Sequence, residues 1–154
     1  MRYLSLFCGL LAVSAHAAHA ANVCPSNERT VALSQLPPDA SYEQLTAAQK
    51  AIVRADYDNL PAADEPPYPL AGQAAIRKEL AKAQGKMRSD GPVTLLVNVD
   101  ASGTARTVSV YDSPDINATK VTTFAVMTAK YKPGKCAGQP CRMDYRFDFC
   151  FDPR

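Results

Sequence analysis

Hydrophobic residues recur at helical spacing in three segments of the chain. The first segment spans about residues 42–58, and Ser41 opens a capping-box pattern at its start. The second spans about residues 73–87, and the third spans about residues 118–130 with Asn117 as its predicted N-cap. The stripes predicted to be buried are Ile76, Leu80, Ala83 and Met87 in the second helix, and Val121, Phe124, Ala125 and Thr128 in the third.

From residue 91 onward the period changes to that of a β-strand. Valine and leucine occupy alternate positions from Val93 to Val99, and residues 100–103 have the composition of a turn. Extended sequence resumes from Ala105 to Tyr111. The pattern therefore predicts a β-hairpin in which Gly103 adopts a positive φ.

The last segment has the clearest alternation in the chain. One face would carry Met143, Tyr145, Phe147, Phe149 and Phe151, and the other Arg142, Asp144, Arg146, Asp148 and Cys150. Arginines alternate with the two aspartates, which indicates a solvated, salt-bridged face rather than an acid/base pair. With the hairpin, this strand predicts an α+β domain: a three-stranded antiparallel sheet with helices packed on one face.

Prolines and irregular sequence precede this domain. The stretch from Pro61 to Pro69 contains four prolines, which exclude a helix interior and predict an extended strap over the core. Residues 22–39 form an arm with little periodicity, in which residues 30–33 are the candidate for a short strand.

The N-terminus has the pattern of a secretory signal peptide. Arg2 precedes an apolar run over residues 3–13, shorter than the roughly 20 residues that a membrane-spanning helix needs. Residues 18–20, Ala-His-Ala, fit the small-x-small pattern before a cleavage site and predict export to the periplasm. Cleavage after Ala17 and an uncleaved anchor are the alternatives. We therefore divide the chain into a signal peptide (1–20), an N-terminal arm and helix (21–65) and the domain (66–154).

Cleavage would also change the available chemistry, because the signal segment contains both histidines, His16 and His19. A chain without histidine lacks the Ser-His and Cys-His activation schemes and the usual zinc ligand sets. We therefore expect no enzymatic activity, no cofactor and no metal. Without Arg2 the 17 basic residues become 16 against 15 acidic ones, a near-neutral balance that favours neither nucleic acid nor an anionic membrane as a partner.

Four cysteines remain after cleavage, and an even number in an exported chain predicts two disulfides with three pairings open. Cys136 and Cys141 bracket a compact loop that can bring their α-carbons together. This favours a Cys136–Cys141 bridge, which leaves Cys24 to pair with Cys150. A metal site that uses all four cysteines is the alternative.

Five short motifs, in this order, resemble the TonB C-terminal domain family. They are Pro67-Tyr68-Pro69, the run from Val93 through Asp100 to Gly103, the segment Ser109 to Ser113, Tyr131-Lys132-Pro133, and Gly138-Gln139-Pro140. The match covers about residues 66–151. The resemblance implies the same α+β fold and a protein-binding role. TonB energy transducers also carry a membrane helix and a long periplasmic spacer, whereas here only about 45 residues separate the signal segment from the domain, so the resemblance does not extend to force transmission.

Members of that family bind a peptide of an outer-membrane transporter, which pairs with the free edge of the last strand. The resemblance thus implies an envelope protein or peptide as partner, such as an outer-membrane transporter, and a role associated with TonB-dependent transport. The binding edge would comprise Arg142, Asp144, Arg146 and Asp148. The alternative is a structural accessory protein of the envelope whose sheet edge is covered by its own arm.

Overall fold

A computed structural model describes Cys24 and residues 28–152. The predicted signal peptide and its cleavage site lie outside the described residues. The helices are α1 (Glu28–Leu33), a 3-10 turn (Tyr42–Gln44), α2 (Ala47–Arg54), α3 (Ala74–Gln84) and α4 (Ile116–Thr128). The strands are β1 (Tyr68–Pro69), β2 (Gly91–Val99), β3 (Ala105–Asp112), β4 (Tyr131–Lys132), β5 (Gly134–Cys136), β6 (Gln139–Cys141) and β7 (Met143–Phe151).

The main sheet has three antiparallel strands, as predicted, and their order is β3-β2-β7. β2 pairs with β7 along its whole length, from Gly91 opposite Phe151 to Val99 opposite Met143. β3 pairs with the other side of β2, and this pairing shifts register near both of its ends. The predicted hairpin turn is also present, because Gly103 has a φ of 78° and donates to the carbonyl of Asp100.

Two small antiparallel pairs extend this architecture. The proline strap forms β1, which pairs with β4, so that Tyr68 lies opposite Lys132. Residues 66–69 of the strap are extended as predicted, with Tyr68 buried, whereas the strap begins with a turn in which the Asp64 N–H donates to the Pro61 carbonyl. β5 and β6 form a short hairpin immediately before the last strand.

The core lies between the main sheet and α3 and α4. α4 packs on β2, on β3 and on α3. The inward side chains of β2, from Val93 to Val99, are fully buried, and so is Phe147 of β7. The prediction that Tyr145 and Phe147 point inward is confirmed, whereas Phe149 is only half-buried.

Two predicted helices need correction. The first is interrupted, because Thr46 forms a second capping box with Gln49 and restarts the helix at Ala47. The third begins at Ile116, where the Asp115 carboxylate accepts from two backbone N–H groups and takes the capping role predicted for Asn117.

The buried stripe predicted for α4 is only partly correct. Ala125 is buried and Val121 packs partly buried on the core, whereas Phe124 and Thr128 are exposed. The buried residues of the helix are Ala118, Thr122, Ala125 and Val126. The side chain of Phe124 is 70% exposed, although the sequence pattern had placed it in the core. Small residues let the helix approach the sheet closely, and the bulky ring is left on the flank.

The N-terminal arm has a different structure from the one predicted. Residues 30–33 belong to α1 and do not form a strand alongside the sheet. The arm is still attached to the sheet, because Cys24 is bonded to Cys150 of β7. Cys136 is bonded to Cys141, and each pair has its α-carbons 5.7 Å apart. The predicted disulfide pairing is therefore confirmed.

Disulfides of this kind indicate an oxidising, extracytoplasmic compartment. Within the described part of the chain, no helix is both long and apolar enough to cross a membrane.

Candidate partner-binding edges of the sheet

The last strand, which carries the predicted binding residues, is an edge of the main sheet. In an antiparallel pair, opposed residues alternate between those that exchange two hydrogen bonds and those that exchange none. Pro92 lies opposite Cys150 and has no N–H to donate, so these two residues form a pair that exchanges no hydrogen bonds. By alternation, Asp144, Arg146 and Asp148 direct their backbone groups away from β2.

Side chains from outside the sheet occupy part of this edge. The Tyr57 hydroxyl donates to the Asp144 carbonyl at 2.6 Å, and Arg77 Nη2 donates to the Asp148 carbonyl at 3.3 Å. Burial raises the pKa of Tyr57, so its hydroxyl stays protonated and remains a donor. A peptide that paired with this edge would have to displace both contacts.

The Asp148 carboxylate connects the arm to the strand. Arg29 of α1 donates from Nε to Asp148 Oδ2 at 2.8 Å and also pairs with Asp56. Thr94 donates to Oδ1 at 2.7 Å, and Arg146 Nε approaches Oδ2 at 3.1 Å. Burial by itself would raise the pKa of Asp148, but the hydrogen bonds from Arg146 and Thr94 and the charge of Arg29 outweigh it and lower that pKa.

The four predicted edge residues therefore differ in their surroundings. Arg142 precedes β7 and is exposed, and Asp144 is exposed with Oδ1 accepting from Asn98 at 2.7 Å. Arg146 and Asp148 are half-buried under the arm. The solvated face expected from the alternation is thus confined to one end of the strand.

The opposite edge of the sheet, β3, is open as far as the described residues are concerned. By the same alternation, Val108 and Val110 direct their backbone N–H and C=O groups away from β2. Within residues 28–152, no strand and no side chain pairs with these groups. A strand with unpaired backbone groups along one side is a template for the addition of another chain.

Apolar side chains flank the open edge. Val110 is 49% exposed and shares the helix-covered face of the sheet with Leu95, its partner on β2. α4 packs against β3 and carries the exposed Ile116 and Phe124. A strand edge beside an exposed helix flank is the arrangement that PDZ and PTB domains use to bind extended peptides.

Sequence reasoning missed the residues that distinguish the two edges. Tyr57 and Arg77 lie far from β7 in the chain, and no local signal pointed to their contacts with its carbonyls. The exposure of Phe124 was concealed by its apparent place in a helical stripe. The open β3 edge follows from the strand order, which the hairpin alone does not determine.

No model of a known protein family matches the chain, and no curated protein is similar to it in sequence. The resemblance to the TonB C-terminal domain therefore stays a prediction that rests on the five motifs. The fold is an α+β domain in which side chains occupy part of the β7 edge, whereas the outward backbone groups of β3 have no partner within the described residues.

Proposed function

We propose that this protein is an extracytoplasmic binding module that recognises an extended segment of an envelope protein by β-strand addition. The observation that carries the proposal is the outer edge of β3, whose outward backbone groups have no partner within the described residues and which carries the exposed Val110. The neighbouring helix α4 packs against β3 and exposes Ile116 and Phe124. Main-chain hydrogen bonds would supply affinity, and the apolar flank would select the side chains of the segment. An outer-membrane transporter is the partner that the TonB resemblance favours.

The proposal moves the binding event from the last strand to β3. The residues Asp144, Arg146 and Asp148 lie at a sheet edge, but Tyr57 and Arg77 already use two of its carbonyls. Opening that edge would also expose the half-buried Asp148 carboxylate and remove Arg29 from it. β3 offers backbone groups that need no such rearrangement.

Proline substitutions at the two edges test this proposal. Val110→Pro removes an outward N–H and places a ring in the path of an added strand. Val110→Thr is the matched control, since it keeps the β-branched shape and the N–H. Asp144→Pro makes the corresponding change on β7. Each oxidised protein, once shown to be folded by circular dichroism, is used to capture envelope proteins that are quantified by mass spectrometry.

We expect Val110→Pro to lose a partner that the parent, Val110→Thr and Asp144→Pro all retain. If only Asp144→Pro loses that partner, the binding site lies on the last strand, as in the TonB family. Retention by both proline variants would leave no role for strand addition.

The capped β7 edge favours a second candidate function, that of a structural accessory protein of the envelope. Here the hydrogen bonds of Tyr57 and Arg77 would serve only to close the sheet. Hydrogen exchange separates the two functions. An open β3 edge predicts fast exchange at the amides of Val108 and Val110, and protected amides there would favour the structural function.

A further inference from the structure

A cleft lies between the arm, α3 and the ends of β3 and β7. Its volume is about 840 Å³, within the range of pockets that bind small molecules. Leu36 and Pro38 of the arm line one side, and Val93 and Phe149 of the sheet line another. Much of the wall of the cleft is therefore apolar.

Tyr68 is one of the residues that line this cleft, and its buried hydroxyl has no partner among the described residues. The residue as a whole is 1% exposed. A buried polar atom that lacks a partner is costly, which makes it a sign of a missing ligand. Gln73 links Arg77 to this region, because it accepts from Arg77 and donates to the Tyr145 hydroxyl, and the ring centroids of Tyr145 and Tyr68 are 6.1 Å apart.

Among the described residues that line the cleft, Arg77 is the arginine that forms no ion pair with a carboxylate. The other two arginines in the lining, Arg29 and Arg146, both pair with Asp148. Arg77 uses Nε and Nη2 to donate to Gln73 Oε1 at 3.0 and 2.8 Å, and Nη2 also reaches the Asp148 carbonyl.

The remaining nitrogen of Arg77, Nη1, has no partner in the part of the chain that the structure describes. Two further carboxylates, Asp112 and Asp152, line the cleft at exposed positions. An anionic group is therefore best accommodated at the Arg77 end, where an unbalanced charge and unused donors coincide.

We propose that the cleft binds an amphipathic carboxylate, a small molecule with one carboxylate head and an apolar body. The head would accept hydrogen bonds from Arg77 Nη1 and from the Tyr68 hydroxyl. The body would pack against Leu36, Pro38 and Phe149. This site does not depend on strand addition to β3, and either proposal can fail without the other.

Titration calorimetry with three probes tests the head group. The oxidised protein is titrated with decanoate, decanol and decyltrimethylammonium, each below its micellar concentration. We expect saturable 1:1 binding of decanoate and binding of decanol weakened about ten- to hundredfold, as expected for loss of a charged hydrogen bond. The cationic probe should not bind. Absence of saturable decanoate binding, or equal affinity for decanol, would overturn the proposal.

Two variants test the residues. Tyr68→Phe removes the unpartnered hydroxyl, so it should weaken decanoate binding about tenfold while leaving the melting temperature unchanged or higher. Arg77→Gln should weaken decanoate binding at least as much. Arg88→Gln is the control, because Arg88 is exposed and lies outside the cleft. If Arg77→Gln disturbs folding, the decanoate affinity of Tyr68→Phe alone tests the head-group site. Parental decanoate affinity in Tyr68→Phe would contradict the assigned head-group site.

Discussion

At the scale of single residues, Asp148 is the point where the N-terminal arm meets the sheet. Its carboxylate accepts from Arg29 of the arm, from Thr94 of β2 and from Arg146 of its own strand. Its ionised form is thus stabilised in the folded state, despite partial burial. The unfolded chain offers none of these partners, so protonation of this group affects stability.

This predicts an acid dependence of stability. The folded-state pKa of Asp148 lies below the value of about 3.9 for an unfolded aspartate. The carboxylate therefore contributes stability that is complete above about pH 4 and is lost as the pH falls through the folded-state pKa. Asp148→Asn should be less stable than the parent at pH 7, and the difference should shrink below about pH 4. Urea unfolding across this range measures it, and parallel pH profiles would contradict the prediction.

The two faces of β7 predict opposite responses to alanine. Phe147 is fully buried, so Phe147→Ala should lower the free energy of unfolding by about 3 to 5 kcal/mol through lost transfer energy and a cavity. Arg146 is partly exposed and its pair with Asp148 is screened by water, so Arg146→Ala should cost less than about 1 kcal/mol. Denaturant titration of both variants checks this. A comparable loss in the two would show that the face assignment is wrong.

At the scale of elements, the arm, the strap and the last strand are connected by long-range contacts. The disulfide Cys24–Cys150 spans 126 residues, and Cys136–Cys141 spans five. The arm lies beside β7 without forming a strand, because residues 28–33 are helical and side chains make the contacts. An edge closed by side chains is easier to open than one closed by a strand.

The two bridges should differ in their effect on stability. On the chain-entropy model, loss of the long bridge in the double variant Cys24→Ser/Cys150→Ser should cost up to about 5 kcal/mol. Loss of the short bridge in Cys136→Ser/Cys141→Ser should cost up to about 2 kcal/mol. Unfolding under oxidising conditions measures both, with non-reducing peptide mapping of the parent as the check on connectivity. A larger loss from the short bridge would contradict this ranking.

At the scale of the whole molecule, the two disulfides indicate an oxidising, extracytoplasmic compartment. The prediction of export concerns residues outside the described part of the chain. The mature N-terminus should be Ala21, and the protein should be recovered from the periplasmic fraction. Intact-mass analysis of the native protein tests this. Recovery of the Met1 form in membranes would revive the anchored alternative.

The sequence by itself was sufficient for features that depend on local patterns. Strict alternation over residues 91–99 and 143–151 predicted both long strands, since burial of one face imposes a period of two. The turn at Gly103 and the short Cys136–Cys141 loop were likewise predictable, because each involves residues close in the chain. The position of the main helices followed from spacing, although their ends did not.

Only the tertiary structure decided which sheet edge is open and which face of α4 is buried. Both depend on contacts between residues far apart in the chain, such as Tyr57 with the Asp144 carbonyl. Phe124 fits a helical stripe equally well whether it points inward or outward, and close packing of Ala118 and Ala125 on the sheet selects the outward arrangement. The unpartnered hydroxyl of Tyr68 is also a tertiary property, because a hydrogen-bond deficit arises only when neighbouring segments have closed around the group.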